Sequence, residues 1–572
     1  MKNKEVAEVL RHIAALLEIK GDNPFRVRAY QRAAQNIEAL TVDVEELARA
    51  GKLERIPGIG KDLAQKIKEI ISTGTCQKYE DLKREVPPEL INLLSIPGVG
   101  PKTAKLLYEK LGIKSIEELE RACLEHRVSR LPGIRSKTEE NILRGIQLLK
   151  QHVGRRPLGE ILPLAEALVE MLRRQAPVDR IDVAGSIRRR RETVKDIDIL
   201  VTSRNPARIM EVFVSLPLVG EIIARGETKT SVRLKEGIQV DLRAVDPACY
   251  GAALAYFTGS KAHNIRIREL GVQRGLKINE YGIFRGDERV GGREEEEVFA
   301  AVDLPWIPPE LREDRGEIEA AQAGQLPRLV NYDEIKGDFH VHSLFSDGTA
   351  SVEEIGAKAR QLGLKWVGIC DHSQGLRVAG GLTPKDIAAK KAAIQAFNRH
   401  SKDVKLLFGT EVDILSDGRL DYPDDLLREF ELVIASIHSG FRQDEATLTG
   451  RILAAIENPL VHIVGHPTGR LIGERDPYPL DLKTIFSAAQ KAGVALEINA
   501  YYKRLDLNDV NTRAAKEAGV LLAIGTDAHS LEQMNFLSLG VAVARRGWCE
   551  PQNILNTFSY RQLKEWLKKK VS

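Results

Sequence analysis

Residues 185–198 read Gly-Ser-Ile-Arg-Arg-Arg-Arg-Glu-Thr-Val-Lys-Asp-Ile-Asp, and 43 residues beyond Asp198 the chain continues Val240-Asp241-Leu242-Arg243. A Gly-Ser turn can present backbone N–H groups to a phosphate, and the arginines after it can neutralise more of the charge. Asp196 and Asp198 are two apart, so on a strand both carboxylates point to one face. Asp241 lies in a second apolar run, Ile238 to Leu242, and can supply a third. Three hard oxygen ligands beside a phosphate cradle suit two Mg²⁺ or Mn²⁺ ions, the arrangement for in-line nucleotidyl transfer. Asp-x-Asp alone recurs on surface hairpins with solvated charges. Its combination with Gly-Ser at this distance points to a nucleotidyltransferase palm.

Outward from this stretch, the 572 residues allow three or four domains. A hydrophobic fraction of 43% and a charged fraction of 29% describe a soluble protein with ample core material. The formal charge of +4 is too small to mark nucleic-acid binding by itself, so a basic surface has to be local. Cys76, Cys123, Cys249, Cys370 and Cys549 are scattered without a Cys-x-x-Cys. That argues against a disulfide framework or a thiolate zinc site and fits a reducing, cytoplasmic setting. No apolar run approaches membrane-spanning length, and residues 1–6 lead into an amphipathic charged helix rather than a signal-peptide core. No membrane partner is expected, and a monomer is.

On the N-terminal side, Val6, Val9, Leu10, Ile13, Leu16 and Leu17 follow helical spacing. Ile56-Pro57-Gly58-Ile59-Gly60-Lys61 then leads into a predicted helix from about Asp62 to Ile71. The pattern recurs as Ile96-Pro97-Gly98-Val99-Gly100-Pro101-Lys102-Thr103 and, without its second glycine, as Leu131-Pro132-Gly133-Ile134-Arg135-Ser136-Lys137. The first two copies look like helix-hairpin-helix motifs. Their glycines permit a tight turn, and the exposed N–H groups at the next helix start bind a DNA phosphate without reading sequence. Gly58, Gly60, Lys61, Gly98, Gly100, Lys102 and Thr103 are therefore candidate DNA-binding residues. The third copy is read as a simple interhelical turn.

With Tyr256-Phe257-Thr258-Gly259-Ser260, Asn264, Arg268 and Ile278-Asn279-Glu280-Tyr281 following in order, residues 1 to about 305 resemble a family X DNA polymerase, the DNA polymerase beta group. The resemblance implies that Asp196 and Asp198 ligate both metals and Asp241 the one that activates the primer 3′-hydroxyl. It gives Ser186 and Arg189 to the triphosphate, with Gly185 needed for close approach. Tyr256 and Phe257 become the sugar-side wall at the Gly259 bend, Asn264 reaches the incoming base and Arg268 the templating side. Lys261 departs from the acidic residue at that place in polymerase beta. Lys66 falls at the Schiff-base position of a 5′-deoxyribose-phosphate lyase, with Arg26, Tyr30 and Lys61 near a 5′-phosphate. Asp62, however, stands where a phosphate-binding lysine belongs, so weak or absent lyase activity is expected.

After Trp306-Ile307-Pro308-Pro309-Glu310 the chain turns Glu-, Arg- and Ala-rich to about Gln325, read as a charged helical or extended linker. Eight of the twelve histidines lie beyond residue 336. There, apolar runs near 366–370, 405–408, 432–435, 461–464, 495–498 and 521–524 alternate with helical segments, which predicts a parallel sheet closing into a (β/α) barrel. Ligand-type residues stand at or just past the strand ends, where such barrels carry their chemistry: His340 and His342 in Asp338-Phe339-His340-Val341-His342, then Asp347, Asp371-His372, Glu411, His438, His466 and Asp527-Ala528-His529. His400 and His462 are read as ordinary core or surface histidines. This convergence predicts a metal cluster.

The segment resembles the PHP (polymerase and histidinol phosphatase) domain, whose nine ligand positions are matched, with none missing, by His340, His342, Asp347, His372, Glu411, His438, His466, Asp527 and His529. That resemblance implies a distorted (β/α)7 barrel, about three divalent ions (Mn²⁺ or Zn²⁺) and Glu411 as the bridging carboxylate. Family X polymerases with a C-terminal PHP domain form a bacterial and archaeal group. There the centre supports Mn²⁺-stimulated 3′→5′ exonuclease activity, sometimes with abasic-site endonuclease or 3′-phosphatase activity.

The expected organisation is a multidomain α+β and α/β chain: a small helical lyase-like domain (1–84), a helical DNA-binding subdomain (85–152), a palm (153–245), a nascent-base-pair-binding subdomain or thumb (246–315), a linker (316–335) and the PHP domain (336–572). Gapped or nicked DNA and dNTPs are the expected partners. Two other readings are a barrel that hydrolyses a small phosphomonoester such as histidinol phosphate, and a DNA tether with an inert palm. The fused DNA-binding motifs weigh against the first, the intact Asp196, Asp198 and Asp241 against the second.

Overall fold

The computed structural model describes residues 2–38, 44–56, 58–94, 96, 99–152, 154–376 and 379–571. Two compact units emerge: residues 1–153 with 473–476, and residues 154–472 with 477–572. Among the described residues, no helix is long and apolar enough to cross a membrane, and all five cysteines are free and buried.

The first unit is helical. Val6, Leu10, Ile13 and Leu17 of the helix Asn3–Lys20 are buried with Ala34 and Ile37 of Pro24–Glu38, as the helical spacing requires. Each such Leu or Ile contributes about 1.5–3 kcal/mol on burial. The described residues that flank the Pro-Gly repeats share one hydrogen-bond pattern. Ile59 N–H donates to Ile56 O at 3.1 Å, Val99 N–H to Ile96 O at 2.9 Å and Ile134 N–H to Leu131 O at 3.1 Å. Helices Lys61–Thr73, Pro101–Leu111 and Ser136–His152 follow. The third copy therefore shares the pattern of the other two. The reason lies in the dihedrals: Gly58 and Gly133 have φ of +77° and +82°, but Gly60 and Gly100 are extended at −89° and −87°. Any residue adopts the second conformation, so Arg135 serves there. Gly98 lies outside the described residues.

In the second unit, a five-stranded sheet has the order Arg180–Val183, Asp196–Thr202, Gln239–Ala244, Lys229–Leu234, Val219–Arg225. The strands Asp196–Thr202 and Gln239–Ala244 are parallel. Period-two alternation puts Ile197, Ile199 and Val201 into one core with helices Leu158–Gln175 and Pro206–Ser215. On the opposite face Leu200 packs with Ala184, Tyr250 and Ala253. Helices Tyr250–Thr258 and Lys261–Gln273, a small antiparallel sheet and helix Glu295–Ala300 follow.

The segment expected as a linker is packed. Its helix Glu317–Gln322 buries Ile318 and Ala321 in the thumb core. The buried Glu317 carboxylate accepts from the N–H groups of Asp314 and Arg315 at 2.8 and 2.7 Å and lies 2.8 Å from His263 Nδ1. The segment read as a charged helical or extended linker is thus helical at Glu317–Gln322 and carries a buried charge.

Seven parallel strands then run in chain order: Gly337–Val341, Trp366–Ile369, Lys405–Asp413, Leu432–Ser436, Ile463–Val464, Ala495–Asn499 and Leu522–Gly525. The sheet closes where the last strand returns to the first: His342 N–H donates to Ala528 O at 2.9 Å, and Val341 bridges Ala528. This is the predicted (β/α)7 barrel. The palm presses on it, since a Cβ placed on Gly159 would meet Tyr502 Cβ at 2.4 Å.

Candidate active sites

In the palm, strand register does the assembly. Asp198 stands directly opposite Asp241 on adjacent parallel strands, and Asp196, opposite Gln239, shares the Asp198 face. Gly185, at φ +61°, approaches so closely that a Cβ there would lie 2.6 Å from Asp198 Oδ2. Any side chain at 185 would displace a carboxylate. Burial, then the charges of Asp196 and Asp241, push Asp198 up to about 6. Bound cations would relieve that repulsion, although among the described residues the closely converging metal-ligand sets all lie in the barrel. Asp241 meets Lys229 Nζ at 3.0 Å and accepts from Gln239 Nε2 at 3.0 Å.

The residues expected to contact the nucleotide lie on the short helix Gly185–Arg188, just after it, and on helices Tyr250–Thr258 and Lys261–Gln273 or between them. Arg243 lies over the Phe257 ring at 4.5 Å, and Tyr256 meets Phe257 edge-on at 5.2 Å. Asn264 Nδ2 donates to Tyr256 O at 2.7 Å, and Tyr256, Asn264 and Arg268 line one small pocket with Ile278 and Asn279. Ser186 lies in the short helix Gly185–Arg188. Arg189 is committed within the protein: Nε donates to Glu313 Oε1 at 3.0 Å and Nη1 to Thr258 O. Gly259, at φ +69°, leaves Arg189 room, with Nη1 only 3.0 Å from where a Cβ would stand.

In the barrel, every predicted ligand sits at a strand end or in the loop beyond it, and Glu411 is their hub. Its carboxylate oxygens lie 2.8 Å from His372 Nδ1, 3.0 Å from His466 Nε2, 3.4 Å from His438 Nε2 and 3.5 Å from His340 Nε2. His340 Nε2 and His342 Nε2 face each other at 3.1 Å, and Asp527 Oδ1 is 3.1 Å from the latter. Three overlapping donor sets result: His342, Asp347, His372 and His529; His340, His342 and Asp527; His372, Glu411 and His438. The buried Nδ1 atoms of His342 and His466 have no hydrogen-bond partner. Orphaned donors and converging Nε2 atoms are what a metal cluster requires.

Charge follows from the same crowding. Burial and the nearby His529 and His372 push His342 down to about 4. Burial opposes charge on His438 as well, but Glu411 and Asp413 outweigh it and raise it to about 10.

Several supporting residues carry no sequence signal. Glu497 Oε1 lies 2.7 Å from His340 Nδ1, and its other oxygen accepts from His466 N–H at 2.6 Å. Asp413 is 2.5 Å from His438 Nδ1. Asn499 Nδ2 donates to Asp527 Oδ2 at 3.1 Å. By binding Nδ1, Glu497 and Asp413 aim Nε2 at the cluster. His466 and Asp527 have φ of +26° and +53°, conformations that surrounding bonds must hold.

In the helical unit, Lys66 Nζ is ion-paired with Asp62, Arg26 meets Asp22 at 3.2 Å, and Tyr30 is buried, which raises its hydroxyl to about 12.

A palm with three carboxylates and its thumb, joined to helix-hairpin-helix turns and a histidine-rich metal barrel, defines a nucleotidyltransferase fused to a metal-dependent phosphoesterase. Family models agree: a helix-hairpin-helix domain matches residues 1–76, a SAM-like helix-hairpin-helix tandem 90–147, a DNA polymerase beta thumb 253–313 and a PHP domain 338–501. The tandem includes the third turn. The chain is 40% identical over 573 residues to the DNA polymerase/3'-5' exonuclease PolX of Bacillus subtilis (strain 168), covering 100% of both. It is 24% identical over 349 residues to DNA polymerase lambda of Arabidopsis thaliana (54% of this chain, 62% of the relative). A probable phosphatase of Thermoanaerobacter sp. (strain X514) matches 41% of this chain over 94% of its own length at 28% identity. The chain belongs to the PolX family, the family X DNA polymerases with a C-terminal PHP domain.

Proposed function

We propose that this DNA polymerase and 3′→5′ exonuclease fills short gaps in DNA repair at the palm and trims or cleans 3′ ends at the barrel. The observation that carries the reading is the register that sets Asp198 opposite Asp241 while Gly185 closes on Asp198. Asp196 and Asp198 would hold two Mg²⁺ or Mn²⁺ ions, and Asp241 the one beside the primer 3′-hydroxyl. When bound, such ions lower the pKa of that hydroxyl and neutralise the triphosphate. Ser186, Arg189 and the N–H groups around Gly185 orient the triphosphate, and Tyr256 and Phe257 wall the sugar. Asn264 contacts the incoming base and Arg268 the templating side. The helix-hairpin-helix turns, with Lys61, Lys102 and Thr103, grip backbone phosphates and leave base readout to pairing.

At the barrel, the nine ligands would hold about three Mn²⁺ or Zn²⁺ ions bridged by Glu411, and such ions activate water and polarise a phosphoester. Glu497 and Asp413 hold His340 and His438 in the tautomer that offers Nε2. The resemblance to probable phosphatases favours a second reading for the barrel alone, a small phosphomonoester as substrate. Lyase chemistry is expected to be weak or absent, because Lys66 is paired with Asp62 and Tyr30 is buried. High-yield borohydride trapping of Lys66 on an incised abasic site would refute that. Five free, buried cysteines suit a cytoplasmic protein.

The test is a 5′-labelled primer in a one-nucleotide gap with a downstream 5′-phosphate and Mn²⁺, with and without dNTPs. Extension with dNTPs and shortening without them support both activities. Extension without shortening moves the barrel to the phosphomonoester, and failure to extend overturns the palm assignment.

A further inference from the structure

We infer that Arg546, at the end of the barrel helix Leu537–Arg546, is a positioning residue for the palm's nucleotide cradle. The barrel would thereby set the polymerase's affinity for dNTP. The inference rests on the reading that Gly185 to Arg189 hold the triphosphate.

Arg546 is buried, at 6% exposure, and its guanidinium binds in two directions. Toward the barrel, Nη2 and Nε donate to Asp509 Oδ2 at 2.7 and 3.1 Å. Toward the polymerase, Nη1 donates to the Arg189 carbonyl oxygen at 2.7 Å and to Glu313 Oε1 at 3.0 Å. That same Glu313 oxygen accepts from Arg189 Nε at 3.0 Å. One barrel side chain therefore holds both the backbone of Arg189 and the carboxylate that orients its side chain.

Two physical consequences follow. The carbonyl that Arg546 grips immediately precedes Arg190, a non-glycine residue at φ +55°. Such a conformation persists only where neighbouring contacts over-determine it. Glu313, in turn, lies among three guanidiniums: Arg189 and Arg546 share one of its oxygens, and Arg191 Nη1 lies 3.8 Å from the other. Without Arg546 its charge would fall more fully on Arg189, drawing that arginine away from an anionic substrate and repelling a triphosphate. A second barrel contact braces the same loop: Arg470 Nη2 donates to Glu192 Oε2 at 2.7 Å and to Leu505 O at 2.6 Å. Neither Arg546 nor Asp509 is among the barrel's metal-type ligands, so hydrolysis at the barrel serves as an internal measure of folding.

The experiment compares full-length Arg546→Ala, Arg546→Lys, Asp509→Asn, Arg189→Ala and the Arg189→Ala/Arg546→Ala double variant. It measures KM and kcat for dNTP on one-nucleotide-gapped DNA with Mn²⁺, and exonuclease rate on single-stranded primer. Arg546→Ala is expected to raise KM for dNTP about tenfold with a smaller change in kcat, in the range of couplings between packed elements. Exonuclease rate should stay within about twofold, Arg546→Lys should recover part of the loss, and the double variant should be little worse than Arg189→Ala alone. If Arg189→Ala raises KM while Arg546→Ala does not, the bracing role is wrong and the cradle stands. If Arg189→Ala itself leaves KM unchanged, the cradle reading fails and takes the inference with it. Should Arg546→Ala lose exonuclease in proportion, Asp509→Asn decides: a selective rise in KM supports the role, while unchanged KM or parallel loss of both activities overturns it.

Discussion

Asp198 and Gly185 are the residues where polymerase geometry and stability conflict. Asp198 is a carboxyl held up to about 6 against an ordinary 3.8. For an acid with a raised folded pKa, the proton is bound more tightly in the folded state. The associated stability is present below pH 3.8 and is lost as pH rises through about 6. Metal-free protein is therefore expected to lose stability across that window, and Asp198→Asn to gain on the order of 2 kcal/mol at pH 7.5 while abolishing nucleotide addition. Thermal melts in chelator with and without the substitution check this; no gain would show that Arg243 and Lys229 already compensate the charge. Gly185→Ala is expected to cost addition at least about a hundredfold, because the new methyl would displace Asp198 at a φ that disfavours alanine. Exonuclease activity should be unaffected.

Among the elements, the barrel strands present the ligands and the neighbouring strands fix their orientation. Glu497, on Ala495–Asn499, supports His340 on the first strand and His466 beyond the fifth. Glu497→Gln is expected to weaken metal binding about 10–100-fold. Mn²⁺ titration of exonuclease activity, with bound metal measured by elemental analysis, reads the change, and an unaltered titration curve would remove Glu497 from this role. In the helical unit, the Gly100–Pro101 turn starts its helix beside Lys102. Lys102→Ala should weaken binding to gapped DNA of any sequence alike and reduce the slope of log K against log salt by about one. A sequence-dependent loss would contradict backbone recognition.

For the whole molecule, two catalytic centres share one compact unit, yet each draws on its own residues. Asp196→Ala with Asp198→Ala should abolish addition and spare hydrolysis and DNA binding, and His340→Ala with His342→Ala should do the reverse. Product lengths on one labelled primer report both, and loss of both activities in either variant would mean that the centres are not separable. The barrel also packs on the palm and thumb, through Arg545 on Glu310 at 2.7 Å and Gly159 on Tyr502. The segment 316–335 packs on both sides: Ile318 and Ala321 lie in the thumb core, and Val330 N–H donates to Cys549 O at 3.0 Å.

The sequence alone pointed to the palm carboxylates, the histidines and carboxylates at the barrel's strand ends and the alternation of strands with helices, because those signals are local. Ligand-type residues repeat at strand ends, strand side chains alternate with period two, and Gly-Ser and Tyr-Phe-Thr-Gly-Ser are contiguous. It underrated the third helix-hairpin-helix turn by weighting a second glycine whose backbone is extended. It also read segment 316–335 from its charge, although Glu317 is internal. Only the tertiary structure decided the partners of these residues. His340 and Glu497 are 157 residues apart, and Arg189 and Arg546 are 357 apart. A glutamate that orients an imidazole, or an arginine that grips a carbonyl, has no local periodicity. Its role exists only once barrel closure and palm packing bring the two chain segments within hydrogen-bond reach.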